Sequence, residues 1–460
     1  MKVQFTTLFI FISLLCTHAQ NQLRFDRITI EDGLSHTTVH SIFQNEDGLI
    51  WIGTEDGLNI YNGYSFKIYK HDASNPYSIS NNVIKSIFKD KKGTVWVGTE
   101  NGLNRYIPEK DGFITFKKEE NNPKSLTHNH IRRIAEDQKG NLWLATDNGV
   151  TKIVNYSDTS IQCIQYPYDA DQPNTIAYPV VRGIFVDSKD RIWIGTDGAG
   201  VYKVINSNST NSSQLQKFIQ YKANNDNINT ITSNRINDFA EDKYGNIWIS
   251  TWKGGLNKLY IDENGEEKIV AYRHDENDLT SINYDRITNV FADSRGYIWL
   301  GTYNRGVNRA KISRNSDLLS FDSFKNEKDN KYSLSHNTAY TFFEDKAGEI
   351  WIGTWGNGIS KAGHHSNRML LLGFQNGFKD KGFNEVWSID TDENNNWWVG
   401  SWDGGVTQII PNETGSVLSY DKKIKNFLST LHEKRSSGAK KKRYLYPYLQ
   451  LPSERNDLTE

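Results

Sequence analysis

The side chains of this chain best suited to recognition chemistry are aromatic rings that directly follow a recurring Thr or Ser. These rings are Trp252, Tyr303, Trp355 and Trp402. A flat aromatic face packs on the C–H face of a sugar, and neighbouring polar groups then bind the hydroxyls. The sequence therefore predicts a sugar-binding site along this series of rings. An alternative is that the rings only cover the junctions between repeats.

Polar side chains are expected beside these rings. The turn that carries each ring is expected on the same face as the crossing into the next repeat, so residues of those crossings become neighbours of the rings. The candidates are Arg235, Arg286 and Asn337, together with Arg305 in the turn that follows Tyr303. Their guanidinium and amide groups provide hydrogen bonds that suit sugar hydroxyls.

A second candidate set is polar or basic. His40, Lys85, Arg132 and Arg182 occupy the same place in four successive repeats, and Arg133 doubles the charge beside Arg132. If these side chains line a central channel, they favour an acidic glycan. The interpretation favoured here is structural, with each Arg paired to an Asp of a neighbouring repeat.

Catalytic signatures are weak in this sequence. The adjacent pair His364-His365 would point to opposite faces of a strand, which makes a poor metal clamp. The run Asp390-x-Asp392-x-Asn394 resembles a calcium loop but lacks the later Gly and Glu. We therefore expect no catalytic residue, no metal and no cofactor. Two alternatives stay open: a lyase or glycosidase that uses a His and a carboxylate, and a protein-binding scaffold.

The candidate residues lie in a repeat marked by tryptophan. Eight of the 13 Trp follow one another at spacings of 45 to 55 residues, typically within the sequence Trp-Ile-Gly-Thr. They are Trp51, Trp96, Trp143, Trp193, Trp248, Trp299, Trp351 and Trp398. This period is that of one four-stranded propeller blade.

Each repeat has the pattern of four short strands. An alternating apolar segment such as Ile84–Phe88 precedes a turn with Asp six residues and Gly three residues before the Trp, which predicts a tight hairpin. A second turn and two further short apolar segments follow, and no stretch has a helical apolar stripe. The fold class predicted is all-β, a β-propeller of four-stranded blades.

Ring closure requires one blade built from both ends of the propeller. The segment Phe25–Thr29 precedes the first complete inner strand and is predicted to complete the last blade. Seven repeats, Trp51 to Trp351, then form one propeller. The eighth repeat, around Trp398, is predicted to begin a second, incomplete propeller, and the alternative is an eight-bladed ring.

Several repeats resemble a known family. Segments such as Asp90-x-x-Gly93-Thr94-Val95-Trp96-Val97-Gly98-Thr99 and Asp137-x-x-Gly140-Asn141-Leu142-Trp143 are similar to the two-component regulator propeller repeat, and the resemblance covers about residues 22 to 415. It implies the extracytoplasmic sensor of a hybrid two-component system, often one that controls polysaccharide use. The kinase, receiver and DNA-binding modules of that family have no counterpart in this sequence, so we expect no kinase activity and interpret the gene as a truncated sensor or, alternatively, a free-standing secreted propeller.

The predicted organisation of the chain has four parts. Residues 1–19 have the basic start, short apolar run and small residues of a cleavable signal peptide. Residues 20–370 form the propeller, 371–424 the eighth repeat and 425–460 a basic tail. A periplasmic location follows from the signal peptide, with the full-length family anchored in the inner membrane.

The overall charge limits the partners. With 54 Lys and Arg against 55 Asp and Glu, the formal net charge is −1, so nothing draws the whole protein to nucleic acid. We expect an oligosaccharide ligand, allow for a homodimer, and expect no nucleic-acid partner and no membrane span in this chain.

Overall fold

The structure is a computed structural model of the chain. It describes residues 23–157, 159–169, 175–205, 217–224, 226–227, 229–314, 316–363, 386–392, 397–401, 405–409 and 425–426. Residue contacts divide the chain into two compact units, Met1–Asn367 and Arg368–Glu460. The predicted signal peptide, the basic tail beyond residue 426, Trp402 and the pair His364-His365 lie outside the described residues.

The repeats form four-stranded antiparallel sheets, as predicted. The first strand is β1 (Phe25–Ile28). Blade 1 contains β2 (Val39–Gln44), β3 (Ile50–Thr54), β4 (Gly57–Tyr61) and β5 (Phe66–Tyr69). Blade 2 contains β6 (Ile84–Lys89), β7 (Val95–Thr99), β8 (Gly102–Ile107) and β9 (Gly112–Phe116). Blade 3 contains β10 (Ile131–Glu136), β11 (Leu142–Thr146), β12 (Gly149–Tyr156) and β13 (Ile161–Tyr166).

The remaining blades of the ring follow the same order. Blade 4 contains β14 (Val181–Val186), β15 (Ile192–Thr196), β16 (Val201–Ile205) and β17 (Lys217–Tyr221). Blade 5 contains β18 (Ile236–Glu241), β19 (Ile247–Thr251), β20 (Leu256–Ile261) and β21 (Glu267–Tyr272). Blade 6 contains β22 (Ile287–Ala292), β23 (Tyr297–Thr302), β24 (Gly306–Lys311) and β25 (Phe321–Phe324). Blade 7 contains β26 (Ala339–Glu344), β27 (Ile350–Thr354) and β28 (Ile359–Ala362), and it is completed by β1. The helices described are two short 3-10 turns, Ile30–Asp32 and Pro108–Lys110.

Strand β1 closes the ring, which confirms the predicted composite blade. It pairs antiparallel with β28, from Phe25 opposite Ala362 to Ile28 opposite Ile359. The Arg27 guanidinium adds a second connection, because it donates to the Ser333 and Leu334 carbonyls at 3.1 and 3.0 Å. The fold is therefore a seven-bladed β-propeller, with the first strand of each blade innermost and no blade edge left open at the junction.

The recurring Asp and Trp are joined by a hydrogen bond. In each repeat that has both residues, the indole Nε1–H donates to one carboxylate oxygen of the Asp six residues earlier, at 2.8 to 3.0 Å. The other carboxylate oxygen closes the turn, as Asp242 does by accepting from the backbone N–H groups of Tyr244 and Asn246. One Asp thus fixes both the hairpin turn and the orientation of the indole.

The fixed indole packs on the next blade around the ring. Trp51 lies in one apolar cluster with Ile84 and Val97 of blade 2, and the same arrangement recurs at every junction. At the closing junction, Trp351 packs against Val39 and Ile52 of blade 1. The seven repeat Trp of the ring therefore occupy equivalent second strands between adjacent blades, as predicted.

The eighth repeat forms a sheet of its own. Its strands are β29 (Val386–Thr391), β30 (Trp397–Ser401), β31 (Gly405–Ile409) and β32 (Lys425–Asn426), within the second compact unit. Trp398 donates to Asp392 at 2.9 Å, so the repeat has the same internal bond as the blades of the ring. That it begins a second propeller stays a prediction.

Blade 1 departs from the pattern and provides a test of the Asp–Trp bond. It has Asn45 where the other repeats have Asp, and the buried Trp51 Nε1–H has no hydrogen-bond partner in the described structure. We predict that Asn45→Asp raises the free energy of unfolding by about 1 kcal/mol, because the carboxylate satisfies this donor. The reverse change in blade 5, Asp242→Asn, should lower it by about 2 kcal/mol, because it leaves the Trp248 indole unpaired. Urea unfolding measures both; a destabilising Asn45→Asp would contradict the proposed role of the bond.

Candidate functional site

A β-bulge in the inner strand of every blade positions the candidate site. In blade 1 the register with β3 shifts between Val39 and Ser41, so His40 is the extra residue, and each other inner strand has the same shift at the same place. A bulge turns a side chain away from the regular alternation of a strand. The bulge residues of the ring are His40, Lys85, Arg132, Arg182, Asn237, Thr288 and Tyr340.

All seven bulge residues line one cavity of about 350 Å³ on the axis of the ring. The other residues of its wall are Glu55, Arg133, Arg235, Trp252 and Tyr303. Each blade therefore contributes at least one side chain, at the end of the ring where the inner strands begin. A cavity of this size and position fits a small ligand.

In blades 1 to 4 and in blade 7, the bulge residue contacts a second side chain from its own blade. That partner lies fifteen residues later, in the turn between the second and third strands. The turn is held in place because its backbone N–H donates to the carbonyl two residues before the bulge, as in the bond from Trp252 N–H to the Arg235 carbonyl at 2.9 Å. The turns of blades 1, 5 and 6 thereby add Glu55, Trp252 and Tyr303 to the cavity wall.

Blades 1 to 4 carry polar and charged pairs. Lys85 lies 3.1 Å from Glu100, and Arg132 binds Asp147, which also accepts from His130 at 2.8 Å. Although burial opposes it, the hydrogen bonds from His130 and Arg132 lower the pKa of Asp147. The Asp147 carboxylate is therefore charged at neutral pH. Arg132 and Arg182 each pair with the Asp of their own blade, so the prediction of pairing with a neighbouring repeat is wrong for these two residues.

Two arginines share one carboxylate at the junction of blades 4 and 5. Arg182 Nη2 donates to Asp197 Oδ2 at 3.0 Å, and Arg235 Nε donates to Asp197 Oδ1 at 2.9 Å. Beneath them, Arg133 approaches Asp238 at 3.6 Å, and burial raises the pKa of the Asp238 carboxyl.

Blades 5 to 7 carry aromatic residues instead of acids in the same turn. The ring centroids of Trp252 and Tyr303 are 5.4 Å apart, those of Tyr303 and Trp355 5.8 Å, and those of Trp355 and Tyr340 6.2 Å. Tyr340 in turn stacks on His40 at 5.5 Å. The result is a continuous row of rings around one side of the cavity, which we call the aromatic row.

His40 is a neutral histidine where the row meets the charged side. Burial, followed by the nearby Lys85 and Arg133 charges, lowers its pKa from 6.5 to about 3. Its Nε2 lies 3.3 Å from both Glu55 Oε1 and Lys85 Nζ. Because the ring is neutral at physiological pH, its contact with Glu55 is a polar contact and not an ion pair.

The structure brings most of the predicted ligand-binding residues together. Trp252, Tyr303 and Arg235 line the cavity, Arg286 lies over the Trp252 ring at 5.5 Å, and Trp355 is 41 % exposed. Two others lie apart from the row: Arg305 stacks on Tyr284, and Asn337 accepts from the backbone N–H of Asn326 within a crossing.

Sequence reasoning missed the residues that complete the cavity. Asn237, Thr288 and Tyr340 stand at the bulge positions of blades 5 to 7, and they share no side-chain type with His40 or Lys85. The signal that could have found them is positional, since each lies fifteen residues before Trp252, Tyr303 or Trp355.

The repeats match a known family. The family model described as Two component regulator propeller matches seven segments: 33–56, 78–101, 125–148, 176–198, 230–253, 281–304 and 333–356. The chain belongs to the two-component regulator propeller family. Each match ends one residue past the second residue of the cavity pair, so the regulator propeller repeat contains both the bulge residue and its partner in all seven blades.

This regulator propeller shares its fold with solved structures of extracellular domains. It is similar to the extracellular domain of the hybrid two component system BT3049 from B. thetaiotaomicron, with a TM-score of 0.60 and 21 % identity over 86 % of this chain and 55 % of that one. It is also similar to the extracellular domain of BT4673, described as a one component system from the same organism. The TM-score is 0.55 and the sequence identity 21 %, over 86 % of this chain and 47 % of that one. The chain thus spans about half of each, and at these identities the likeness concerns the fold.

The chain is also similar to a histidine kinase over a short stretch and to a lyase in its fold. A stretch of 73 residues is 38 % identical to Histidine kinase P4 of Formosa agariphila, but it covers 16 % of this chain and 5 % of that protein. Virginiamycin B lyase from Staphylococcus aureus shares the fold with a TM-score of 0.51 and 14 % identity, over 74 % of this chain and 99 % of the lyase. The regulator propeller thus shares its fold both with extracellular domains of two-component systems and with this lyase.

The described residues contain neither a candidate metal site nor a helix that could span a membrane. No cluster of three or more His, Cys, Asp or Glu side chains in that part of the chain is arranged to hold a metal ion. No helix within the same residues is long and apolar enough to cross a membrane.

The lowered pKa of His40 predicts a pH dependence of stability. Between about pH 6.5 and pH 3 the unfolded state binds a proton that the folded His40 does not, so the free energy of unfolding falls as the pH falls through this range. In His40→Gln this contribution is absent. The drop in unfolding free energy from pH 7 to pH 5 should therefore be smaller in the variant by up to about 2 kcal/mol. Urea unfolding at the two pH values measures it, and an equal drop in both proteins would contradict a neutral, buried His40.

Proposed function

We propose that this chain is the ligand-sensing part of an extracellular two-component sensor and that it binds an oligosaccharide in the axial cavity. The single observation that carries the proposal is the aromatic row beside hydrogen-bonding side chains in a cavity to which all seven blades contribute. Family membership supports the sensor role, and the cavity supports the class of ligand.

The arrangement of groups suits a sugar. Trp252 and Tyr303 present aromatic surface to the cavity, where the C–H face of a pyranose can pack. Asn237 and Thr288 also line the cavity, and since Asn237 Nδ2 and Thr288 Oγ1 donate to the Ile287 and Ala339 carbonyls, their side-chain oxygens can accept from sugar hydroxyls. Trp355, which is 41 % exposed, extends the aromatic surface beyond the cavity, so a ligand longer than one sugar unit has a continuous surface to follow.

Binding without turnover fits the chemistry of the cavity. A lyase of the kind considered from the sequence needs a base that accepts a proton near neutral pH. His40 is the histidine that lines the cavity, and a pKa of about 3 makes it too weak a base for that role. The likeness to virginiamycin B lyase, at 14 % identity, supports the fold and no shared reaction.

Extracellular location and partners are parts of the same proposal. The similar sensor structures are extracellular domains. The signal peptide predicted for residues 1–19 would direct this chain to the periplasm. A homodimer remains a prediction.

The test is binding by the purified chain to a panel of oligosaccharides, measured by calorimetry. We expect one class to bind saturably and Trp252→Ala to weaken that binding by about tenfold or more, because the stacking surface is lost. The matched control is Tyr244→Ala, an exposed ring of the same blade in the turn at the opposite end of the strands.

Two results would contradict the proposal. The first is a bound ligand whose affinity is the same in the wild type and in a folded Trp252→Ala variant. The second is the appearance of cleavage products from the bound glycan, which chromatography of the same samples would detect.

A further inference from the structure

The charges that face the axial cavity are unequal. Five cationic side chains belong to its wall: Lys85, Arg132, Arg133, Arg182 and Arg235. Glu55 is the carboxylate of that wall, and His40 is neutral because burial lowers its pKa. A ligand in the cavity therefore meets mostly groups that only donate hydrogen bonds.

The carboxylates that balance these cations are not part of the cavity wall. Glu100, Asp147 and Asp197 stand in the turns and bind Lys85, Arg132 and Arg182 there. Each pairing occupies part of the hydrogen-bonding capacity of a cation that also lines the cavity. A guanidinium has five N–H donors, so one carboxylate does not exhaust it.

Positive charge exceeds negative charge where Arg182 and Arg235 share Asp197. Arg182 Nε and Arg235 Nε lie 2.8 and 2.9 Å from the same carboxylate oxygen, so two positive charges share one negative charge. In blade 2 the corresponding acid, Glu100, pairs with one cavity cation, Lys85. In blade 3, Asp147 likewise pairs with one cavity cation, Arg132. Asp197 compensates one of these two charges, so Arg182 and Arg235 together carry one excess positive charge.

The excess charge lies next to the aromatic row. The Arg235 guanidinium lies over the Trp252 ring at 5.5 Å, and Arg286 lies at the same distance from that ring. No ion pair involves Arg286 within the described residues. An oxyanion bound between Arg182 and Arg235 would be adjacent to the surface on which a sugar ring can pack.

We propose that the cavity recognises an acidic oligosaccharide, with a carboxylate or sulfate held by Arg182 and Arg235 while its sugar ring packs on Trp252. This inference rests on the proposed sugar-binding function and specifies its ligand class. Arg is the side chain best suited to such groups, since its planar fork of donors matches an oxyanion.

The experiment compares three oligosaccharides of equal length: a neutral one, a uronate and a sulfated one. Affinities are measured by calorimetry for the wild type, Arg182→Gln, Arg235→Gln and the control Lys268→Gln. Lys268 is an exposed cation on β21 of the same blade as Arg235, away from the cavity. We expect tighter binding of at least one acidic ligand than of the neutral one.

The Arg variants should reduce the preference for the acidic over the neutral oligosaccharide, and not only lower the affinity for both. Each Arg variant should weaken the acidic ligand by about tenfold or more, because a charge-assisted hydrogen bond is lost, and the neutral ligand by less than about twofold. Lys268→Gln should change neither. Raising the salt concentration from about 50 to about 500 mM should weaken only the acidic ligand. The Arg235 side chain is 43 % exposed, so its variant can be interpreted even if Arg182→Gln does not fold.

The outcomes separate this inference from the proposed function. Equal affinities for neutral and acidic ligands, or an equal loss of both in the Arg variants, would overturn the inference and leave the sugar-binding proposal standing. Absence of binding by all three oligosaccharides would overturn both. A preference for the uronate or for the sulfated ligand identifies which oxyanion the cavity takes.

Discussion

The structure depends on the attachment of each blade to the next through a tryptophan, whose indole is fixed by an aspartate in every blade of the ring except blade 1. The Asp closes a turn with one oxygen and accepts from the indole with the other, and the indole then packs on the neighbouring blade. The interaction is repeated around the ring and closed by Trp351 against blade 1. Because the axial cavity takes a side chain from each blade, it exists only when all these junctions are formed together.

The bulge in each inner strand allows seven similar blades to form a cavity with a different side chain from each blade. Every inner strand has the same register shift, so the backbone presents one side chain per blade to the axis regardless of its type. The blades then differ by composition alone: blades 1 to 4 carry polar and charged pairs, and blades 5 to 7 carry aromatic rings. A regular scaffold can therefore change its ligand by substitution at two positions per blade while the packing between blades is maintained.

The fold could be predicted almost completely from the sequence, because the Asp, Gly and Trp of each repeat have local causes. The turn, the strand and the indole bond all involve residues within six positions of one another. The closing role of Phe25–Ile28 could be predicted as well, since a ring needs it. The rings of Trp252, Tyr303 and Trp355 could be predicted as a series because each directly follows the recurring Thr of its repeat.

The remainder of the site could not be predicted because it depends on register. Tyr340 and Thr288 look like ordinary strand residues until the bulge turns them toward the axis. Asn337 occupies a crossing position that suggested a ligand contact, but its amide oxygen is bound to the Asn326 backbone. The sharing of Asp197 between Arg182 and Arg235 joins residues of two blades, and no spacing rule within one repeat indicates it.

The central claim is that one cavity on the ring axis, built from the bulge residues, is the ligand site. A crystal structure of the chain with a bound acidic oligosaccharide tests it most directly. We expect the sugar ring to pack against Trp252 and Tyr303, with its oxyanion bound between Arg182 and Arg235. A ligand bound at the outer strands of the blades, with the axial cavity empty, would contradict the account.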